Sequence, residues 1–456
     1  MFKMTPPRPD ASDSLQRPRP TLRALALVLA ALARTASAQP ASPPEEAGPK
    51  PDVPAASRGT SPDAVPAGLP ATAPTPRPEV TGDDDKVGTE TGILPLIGGD
   101  TDNGFGVGAI GSVANFDGKS VPYKWQLQFA TFIATKSSPL SPSYEDAFIN
   151  LIMPQLFDGR LRLEIRPSFT HETALRYYGL GNEIVVPATT DTKRDFYTRL
   201  HPQLQILTRW KLSKDSRWSV LAATQYLYNR ISYDPSSTLA MDPGAYASEI
   251  AKPHSVLRIE TGLVYDSRDN ELAPNSGMFH SFEIRMSPHL GSAFPHQYEQ
   301  ADLQLRFYRT LSRRNVLAFR IVGDFQLGHV PFYETARYED TSAIGGSLAV
   351  RGVPGYEFYG KVKVFGNLEL RTRITRFNLW NRKFKLGMAT FLDAGRMWSD
   401  LRFSRPDLDG TGLGLHYGTG VGFRLQQGRA FLVRADIAYS PDAHPIAGYV
   451  LADHIF

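Results

Sequence analysis

The sequence predicts an all-β chain: a 16-stranded antiparallel transmembrane β-barrel over residues 87–456, preceded by a signal peptide and a disordered Pro-rich linker. Three observations predict it. Runs of roughly ten to fifteen residues alternate apolar and polar side chains along that whole region. No apolar stretch escapes interruption by a charge, Gly or Pro for the roughly twenty residues that a membrane helix requires. The connections between the runs alternate between short and long, as a barrel with two unlike rims demands.

At the N-terminus, Arg17, Arg19 and Arg23 precede an apolar run over residues 24–33, and Ala36, Ser37 and Ala38 supply small residues for cleavage before Gln39. This pattern is a secretory signal peptide over residues 1–38. Its apolar core of about ten residues is half the length needed to cross a bilayer. Residues 39–86 are Pro, Ala, Ser and acidic residues with almost nothing large to bury, which predicts an extended, disordered tether. Within it, Asp83, Asp84 and Asp85 read as solubilising charge rather than as a metal site.

Composition removes several function classes. With no cysteine in the chain, disulfides, thiolate metal sites, cysteine nucleophiles and an acylated cysteine anchor are excluded. Fifty basic and 46 acidic side chains give a net charge of +4 without a basic tract, so nucleic acid is not an expected partner. No Gly-x-Ser-x-Gly elbow or His-Glu-x-x-His helix is present, and no cofactor motif is found, so the expectation is a protein that is not an enzyme.

The barrel strands follow from period-two patterning. Leu161, Leu163, Ile165 and Phe169 fall on one face and Arg162, Glu164, Arg166 and Ser168 on the other. The same alternation sets Leu257, Ile259, Leu263 and Tyr265 against Arg258 and Glu260, and Leu317, Phe319, Ile321 and Phe325 against Arg320 and Asp324. It sets Phe431, Val433, Ile437 and Tyr439 against Arg434 and Asp436. Soluble sandwiches alternate too, but their strands average about five or six residues, half the length seen here. The segments start near residues 90, 104, 122, 144, 160, 194, 217, 255, 278, 297, 314, 359, 382, 412, 430 and 447.

Short connections fall at 117–121, 154–159, 211–216, 311–313 and 426–429, and long ones at 172–193, 232–254 and 328–358. With short turns in the periplasm, both the linker and the terminal strand end there and the long loops face outward. Trp125, Trp210, Trp218, Tyr228 and Trp398 lie near strand ends, where interfacial girdles form. Inward charges of both signs predict a narrow or plugged lumen.

Three motifs carry a family resemblance that covers nearly all of the predicted barrel. The stretch Gly345-Gly346-Ser347-Leu348-Ala349-Val350-Arg351-Gly352-Val353 lies in the longest late loop. It is followed by Gly366-Asn367-Leu368-Glu369-Leu370-Arg371 and by Phe391-Leu392-Asp393-Ala394-Gly395, where alternation points Glu369 and Asp393 inward. The second motif is Asp266-Ser267-Arg268-Asp269-Asn270 with Pro274 and Gly277 downstream; its internal arginine and the missing distal Glu favour a structural turn over a calcium loop. The third is the terminal Phe456 after an aromatic, apolar segment.

Together these resemble the BamA/TamA-type outer-membrane superfamily, also called bacterial surface antigens. The resemblance implies that the loop bearing Val350, Arg351 and Gly352 folds back into the lumen, that Arg351 pairs with Glu369 and Asp393, that the turn motif is periplasmic, and that Phe456 is a C-terminal signal for insertion. A guanidinium withdrawn from water needs such carboxylate partners. Val353 departs from the aromatic residue usual in the family, which puts the docking of the loop in question. No POTRA domain is expected in the linker, which is too short and too Pro-rich to fold one.

The family implies two mechanisms, insertion of other outer-membrane barrels or translocation of an unfolded protein. The expected setting is the bacterial outer membrane with the linker in the periplasm. Expected partners are outer-membrane lipid and lipopolysaccharide, unfolded barrel clients or a secreted protein, and a periplasmic partner on the linker. A passive channel or a surface-exposed structural barrel is the alternative.

Overall fold

A computed structural model describes residues 87–100, 104–135, 142–187, 189, 191–245, 251–339, 341–379, 382–403, 405–428, 431–442, 446–452 and 454–456. The expected signal peptide and linker lie outside the described residues. Sixteen antiparallel strands form the wall. They are β1 (Gly88–Asp100), β2 (Gly104–Phe116), β3 (Trp125–Thr135), β4 (Pro142–Gln155) and β5 (Leu161–Arg176). The sixth, β6, comes in two pieces, Phe196–Leu200 and Gln203–Lys211. The chain continues through β7 (Trp218–Tyr233), β8 (His254–Asp266), β9 (Gly277–Ser287), β10 (Tyr298–Thr310) and β11 (Asn315–Gly328). The last five are β12 (Val362–Leu379), β13 (Arg382–Trp398), β14 (His416–Gln427), β15 (Phe431–Tyr439) and β16 (Ala447–Ala452).

The strands begin close to where alternation places them; the largest offset is at β14, expected near 412 and found at His416. β6 is split because Pro202 has no amide hydrogen to give to the ladder. Its neighbours bridge the gap: the His201 amide donates to the Thr170 carbonyl at 2.9 Å and the Tyr228 amide to the Pro202 carbonyl at 3.0 Å. Each piece of β6 pairs with β5 on one side and β7 on the other, so the strand counts once in the wall.

Every consecutive pair from β1 to β16 is joined by a register of paired residues. Closure between β16 and β1 differs: the two strands approach each other, but among the described residues no ladder joins them. β16 is short, and from the position opposite Val433 the chain departs from the wall. Below that point β1 lies against the ends of β15 and β14 and is reached by a side chain from the start of β13. The Thr91 carbonyl accepts from the Arg382 guanidinium at 2.6 Å and from the Gln427 amide at 3.5 Å. Gly92 permits this approach, because a Cβ there would sit 2.9 Å from the Phe431 ring.

The terminal Phe456 lies apart from the last described strand residues. β16 stops at Ala452, and residues 454–456 turn into the lumen. Ile455 and Phe456 are buried against Tyr308 and Ala318 of the opposite inner wall. Their backbone carbonyls accept from Arg320 at 3.2 Å and Arg371 at 2.9 Å, and both guanidiniums lie over the Phe456 ring. The ionic inner face of β11 and β12 gives the backbone donors that a lipid-facing strand end would not, and this draws the C-terminus inward.

Candidate functional site in the lumen

The chain between β11 and β12, described over 329–339 and 341–361, folds back inside the barrel rather than standing above it. Local chemistry favours this. Gly345, Gly346 and Gly352 all have positive φ, at 96°, 78° and 97°, a region closed to most side chains. Gly345 is further confined, since a Cβ would lie 2.2 Å from the Pro354 carbonyl oxygen. The resulting loop presents Ile344, Ala349, Val350 and Val353 to one buried cluster with Val322, Phe358, Phe365 and Met397 of the wall and loop. Val353, where the family usually has an aromatic residue, is fully buried in this cluster.

Wall side chains also bind the loop backbone. The Ser347 carbonyl accepts from Arg434 at 2.7 Å, the Leu348 carbonyl from Arg320 at 2.5 Å and the Ala349 carbonyl from Asn367 at 2.6 Å. Each of these carbonyls is thereby satisfied away from water, as a buried backbone group must be.

Arg351 is the centre of the arrangement and is fully buried. Its Nε donates to Asp393 Oδ2 at 2.7 Å and its Nη2 to Asp393 Oδ1 at 3.1 Å, a two-pronged pair to which the Arg351 amide adds a bond of 3.2 Å. Nη1 reaches Glu369 at 2.8 Å and Asp436 at 3.2 Å. The guanidinium also stacks on Phe391, 3.4 Å from its ring centroid. Burial opposes the charge on Arg351, but Asp393, Glu369 and Asp436 together hold its pKa above the ordinary range.

The sequence-predicted Arg351, Glu369 and Asp393 are therefore brought together, with Val350 and Gly352 beside them. Sequence reasoning missed Asp436 of β15 as a third carboxylate. It also missed three further cations: Arg371 binds Glu369 at 2.8 Å, Arg424 bridges Glu369 at 3.2 Å and Asp436, and Arg434 pairs with Asp436. Tyr449 of β16 joins through its hydroxyl, which accepts from the Gly352 amide at 3.1 Å. Asp436 and Arg434 were visible as inward residues of one strand, but nothing in the alternation says what lies across a barrel.

A second cluster anchors the start of the loop. Glu334, on the one-turn helix Phe332–Thr335, binds Arg199 at 3.0 Å and pairs with Arg258. Arg337 pairs with Glu172, which also binds His201 at 2.8 Å. Burial alone would raise the Glu334 pKa; Arg258, Arg199 and Arg337 overcome it and hold the carboxyl down to about 2.

The turn motif occupies the opposite, short-turn rim. Arg268 grips Asp266 with two bonds of 3.0 and 2.8 Å. Asp269 accepts from the Asn275 and Ser276 amides, and Asn270 accepts from the Ala273 amide at 2.8 Å, so the side chains cap the turn's own backbone. Pro274 is buried, and Gly277 has a φ of 100° with no space for a Cβ. These contacts serve the turn's own backbone. Beside this rim the lumen keeps a cavity of 1610 Å³, lined among others by Arg162, Arg209, Glu271, Arg306 and Phe456.

Comparison with known proteins agrees with this architecture. Residues 143–446 match the model of the Omp85 superfamily domain. Among solved structures, BamA from Haemophilus ducreyi lacking POTRA domains 1-3 aligns with a TM-score of 0.51 and 12% identity, over 81% of this chain and 70% of that one. CdiB from Escherichia coli aligns with a TM-score of 0.51 and 13% identity, over 80% of this chain and 62% of that one. The chain thus spans less than two thirds of CdiB. No curated protein matches the chain in sequence.

Proposed function

The chain belongs to the Omp85 superfamily of outer-membrane β-barrels, and on that premise we propose that it promotes insertion of other barrel proteins into the outer membrane, through the seam between its own first and last strands. The observation that carries this reading is the seam itself. Fifteen strand pairs are joined by registers of paired residues, some with a bulge, while β16 and β1 have none among the described residues. A strand edge without its ladder keeps amide and carbonyl groups available to pair with an incoming strand.

Passage of an unfolded polypeptide through the lumen is the competing reading, supported by the cavity of 1610 Å³ beside the short-turn rim. It requires the docked loop to leave, whereas seam insertion does not. A passive channel requires the same displacement.

A disulfide separates the readings. Ideal Cβ positions at Gly92 and Phe431 lie 3.0 Å apart, near the ~3.8 Å of a disulfide and within reach of a small backbone shift. The chain has no other cysteine to interfere. The full chain carrying Gly92→Cys and Phe431→Cys is reconstituted in liposomes and the folding of a denatured outer-membrane client is followed. Acceleration relative to an unrelated barrel is expected in the reduced form and lost on oxidation. Equal acceleration by the oxidised form would refute seam insertion.

A further inference from the structure

The hairpin of β12 and β13 differs in charge from the rest of the barrel. Between Glu369 and Asp393 the sequence carries Arg371, Arg373, Arg376, Arg382, Lys383 and Lys385 and not one carboxylate. The adjoining β10–β11 turn adds Arg309, Arg313 and Arg314, again without an acid between them. Elsewhere on the inner face several arginines are matched with carboxylates, as in the Arg351, Glu334 and Arg162 clusters, while Arg320 and Arg396 are held by backbone carbonyls. Here, among the described residues, Arg309, Arg313, Arg314, Arg373, Arg376 and Arg382 form no ion pair. What some of them do find is backbone: Arg373 donates to the Arg313 carbonyl at 2.5 Å and Arg382 to Thr91.

The shape of the hairpin exposes this charge. β11 pairs with β12 only as far as Asn315 opposite Thr372. β12 then continues to Leu379, so seven residues, 373–379, run beyond the neighbouring turn, and all seven are exposed. A bulge between Arg373 and Thr375 resets the alternation as the strand leaves the wall. Beyond it Arg376 pairs with Lys385, and Phe377 with Phe384, whose rings stack at 5.4 Å.

The two faces of the hairpin are unlike. Phe384 is on the side of Leu386 and Leu392, the lipid-facing side of β13, and Phe377 and Leu379 join it there. Lys385 and Arg376 are on the side of Asp393, the lumen side. The lipid-facing surface of the wall therefore continues down an extension whose other face and flanks are cationic. That combination of the exposed Phe377 and Leu379 with arginine beside them is the chemistry of a headgroup layer. A docking face for an acidic protein would have no reason to extend the lipid-facing side of the wall.

We propose that the β12–β13 hairpin, with the β10–β11 turn, binds the phosphate groups of anionic phospholipid in the leaflet at the short-turn rim. Guanidinium forks match phosphate oxygens with two bonds each, and a row of them without internal carboxylates leaves lipid phosphate as the counter-charge. The inference rests on the barrel's orientation in the membrane and not on the insertion activity proposed above.

The test uses the full chain refolded in nanodiscs of equal parts phosphatidylcholine and phosphatidylglycerol, with retained lipids counted by native mass spectrometry after gentle release. Phosphatidylglycerol should be enriched by about fivefold, the effect of one well-placed cation at an anionic surface. Enrichment should fall to parity in a variant with Arg313→Gln, Arg314→Gln, Arg373→Gln and Arg376→Gln. A control with Arg230→Gln, Arg402→Gln and Arg405→Gln, on the long-loop side, should keep it. Heat-modifiable gel mobility reports in parallel that each variant is a folded barrel, which keeps a lipid result separate from a folding failure. Absence of enrichment in the native chain, or its persistence in the hairpin variant, overturns the proposal; binding of an acidic protein instead would appear as such an absence.

Discussion

Replacing Arg351 by alanine removes one side chain from three carboxylates, and the structure says which of them suffers. Glu369 keeps Arg371 and Arg424, and Asp436 keeps Arg424 and Arg434. Asp393 keeps no cation among the described residues, because Arg351 supplies both of its side-chain bonds. The loss is therefore that of one fully buried, doubly bonded ion pair with its partner left behind, which costs about 3–5 kcal/mol. Little of this can be recovered by moving Asp393 to water, since Phe391 and the loop close over it. The cost falls on the docked loop before it falls on the wall, whose ladders are untouched. Urea unfolding in micelles, read alongside protease cleavage within residues 344–356, measures both. Arg351→Ala should expose the loop to cleavage and lower the loop transition by that amount. Removing the stranded carboxylate as well, in Arg351→Ala with Asp393→Ala, should restore about 2 kcal/mol. If the two substitutions simply add, Asp393 is not the group that makes the arginine necessary and the reasoning fails.

Other consequences are as specific. Gly418→Ala places a Cβ 1.8 Å from the Arg351 carbonyl oxygen, an overlap that neither backbone can absorb, so it should undock the loop while leaving β14 in the wall; protected protease sites like those of the native chain would contradict this. Deleting residues 346–355 removes the segment that the wall binds through Arg434, Arg320 and Asn367, and planar-bilayer recordings should change from flickering to large steady currents. Acid should release the loop's first anchor late: Glu334 is held to about 2, below its ordinary 4.5, so its stabilisation is complete above about pH 4.5 and is lost as pH falls toward 2. Glu334→Gln should remove that part of the pH dependence from protease sensitivity, and an unchanged acid profile would assign it to other groups.

The strands were legible because a period of two survives any amount of side-chain variation, and even the interrupted β6 kept its place in the count. The pairing of Arg351 with Glu369 and Asp393 came from the family resemblance, and alternation added that both acids point inward from the two strands that follow the loop. Asp436 could not be added, since its contact with Arg351 crosses the lumen from β15, and a strand pattern carries direction but no distance across a barrel. The inward turn of the C-terminus was not legible for a related reason. An aromatic final residue suits a strand that ends at the interface, yet the residues that decide its fate, Arg320, Arg371 and Tyr308, lie on β10, β11 and β12 and leave no mark near residue 456.

The lumen network and the seam are connected by what the network holds. Glu369, Asp393, Arg424 and Asp436 lie on β12, β13, β14 and β15, so the buried ion pairs bolt four consecutive strands to one loop. β16 joins that block through its ladder with β15 and through the Tyr449 hydroxyl at Gly352, and β1 meets it at the short-turn rim, where the Thr91 carbonyl accepts from Arg382. Separating β12 from β13 would break a full ladder and several buried ion pairs at once. Separating β16 from β1 breaks neither. Any load that opens this barrel sideways must therefore open it at that line, and the same loop that closes the lumen keeps the rest of the wall intact while it happens.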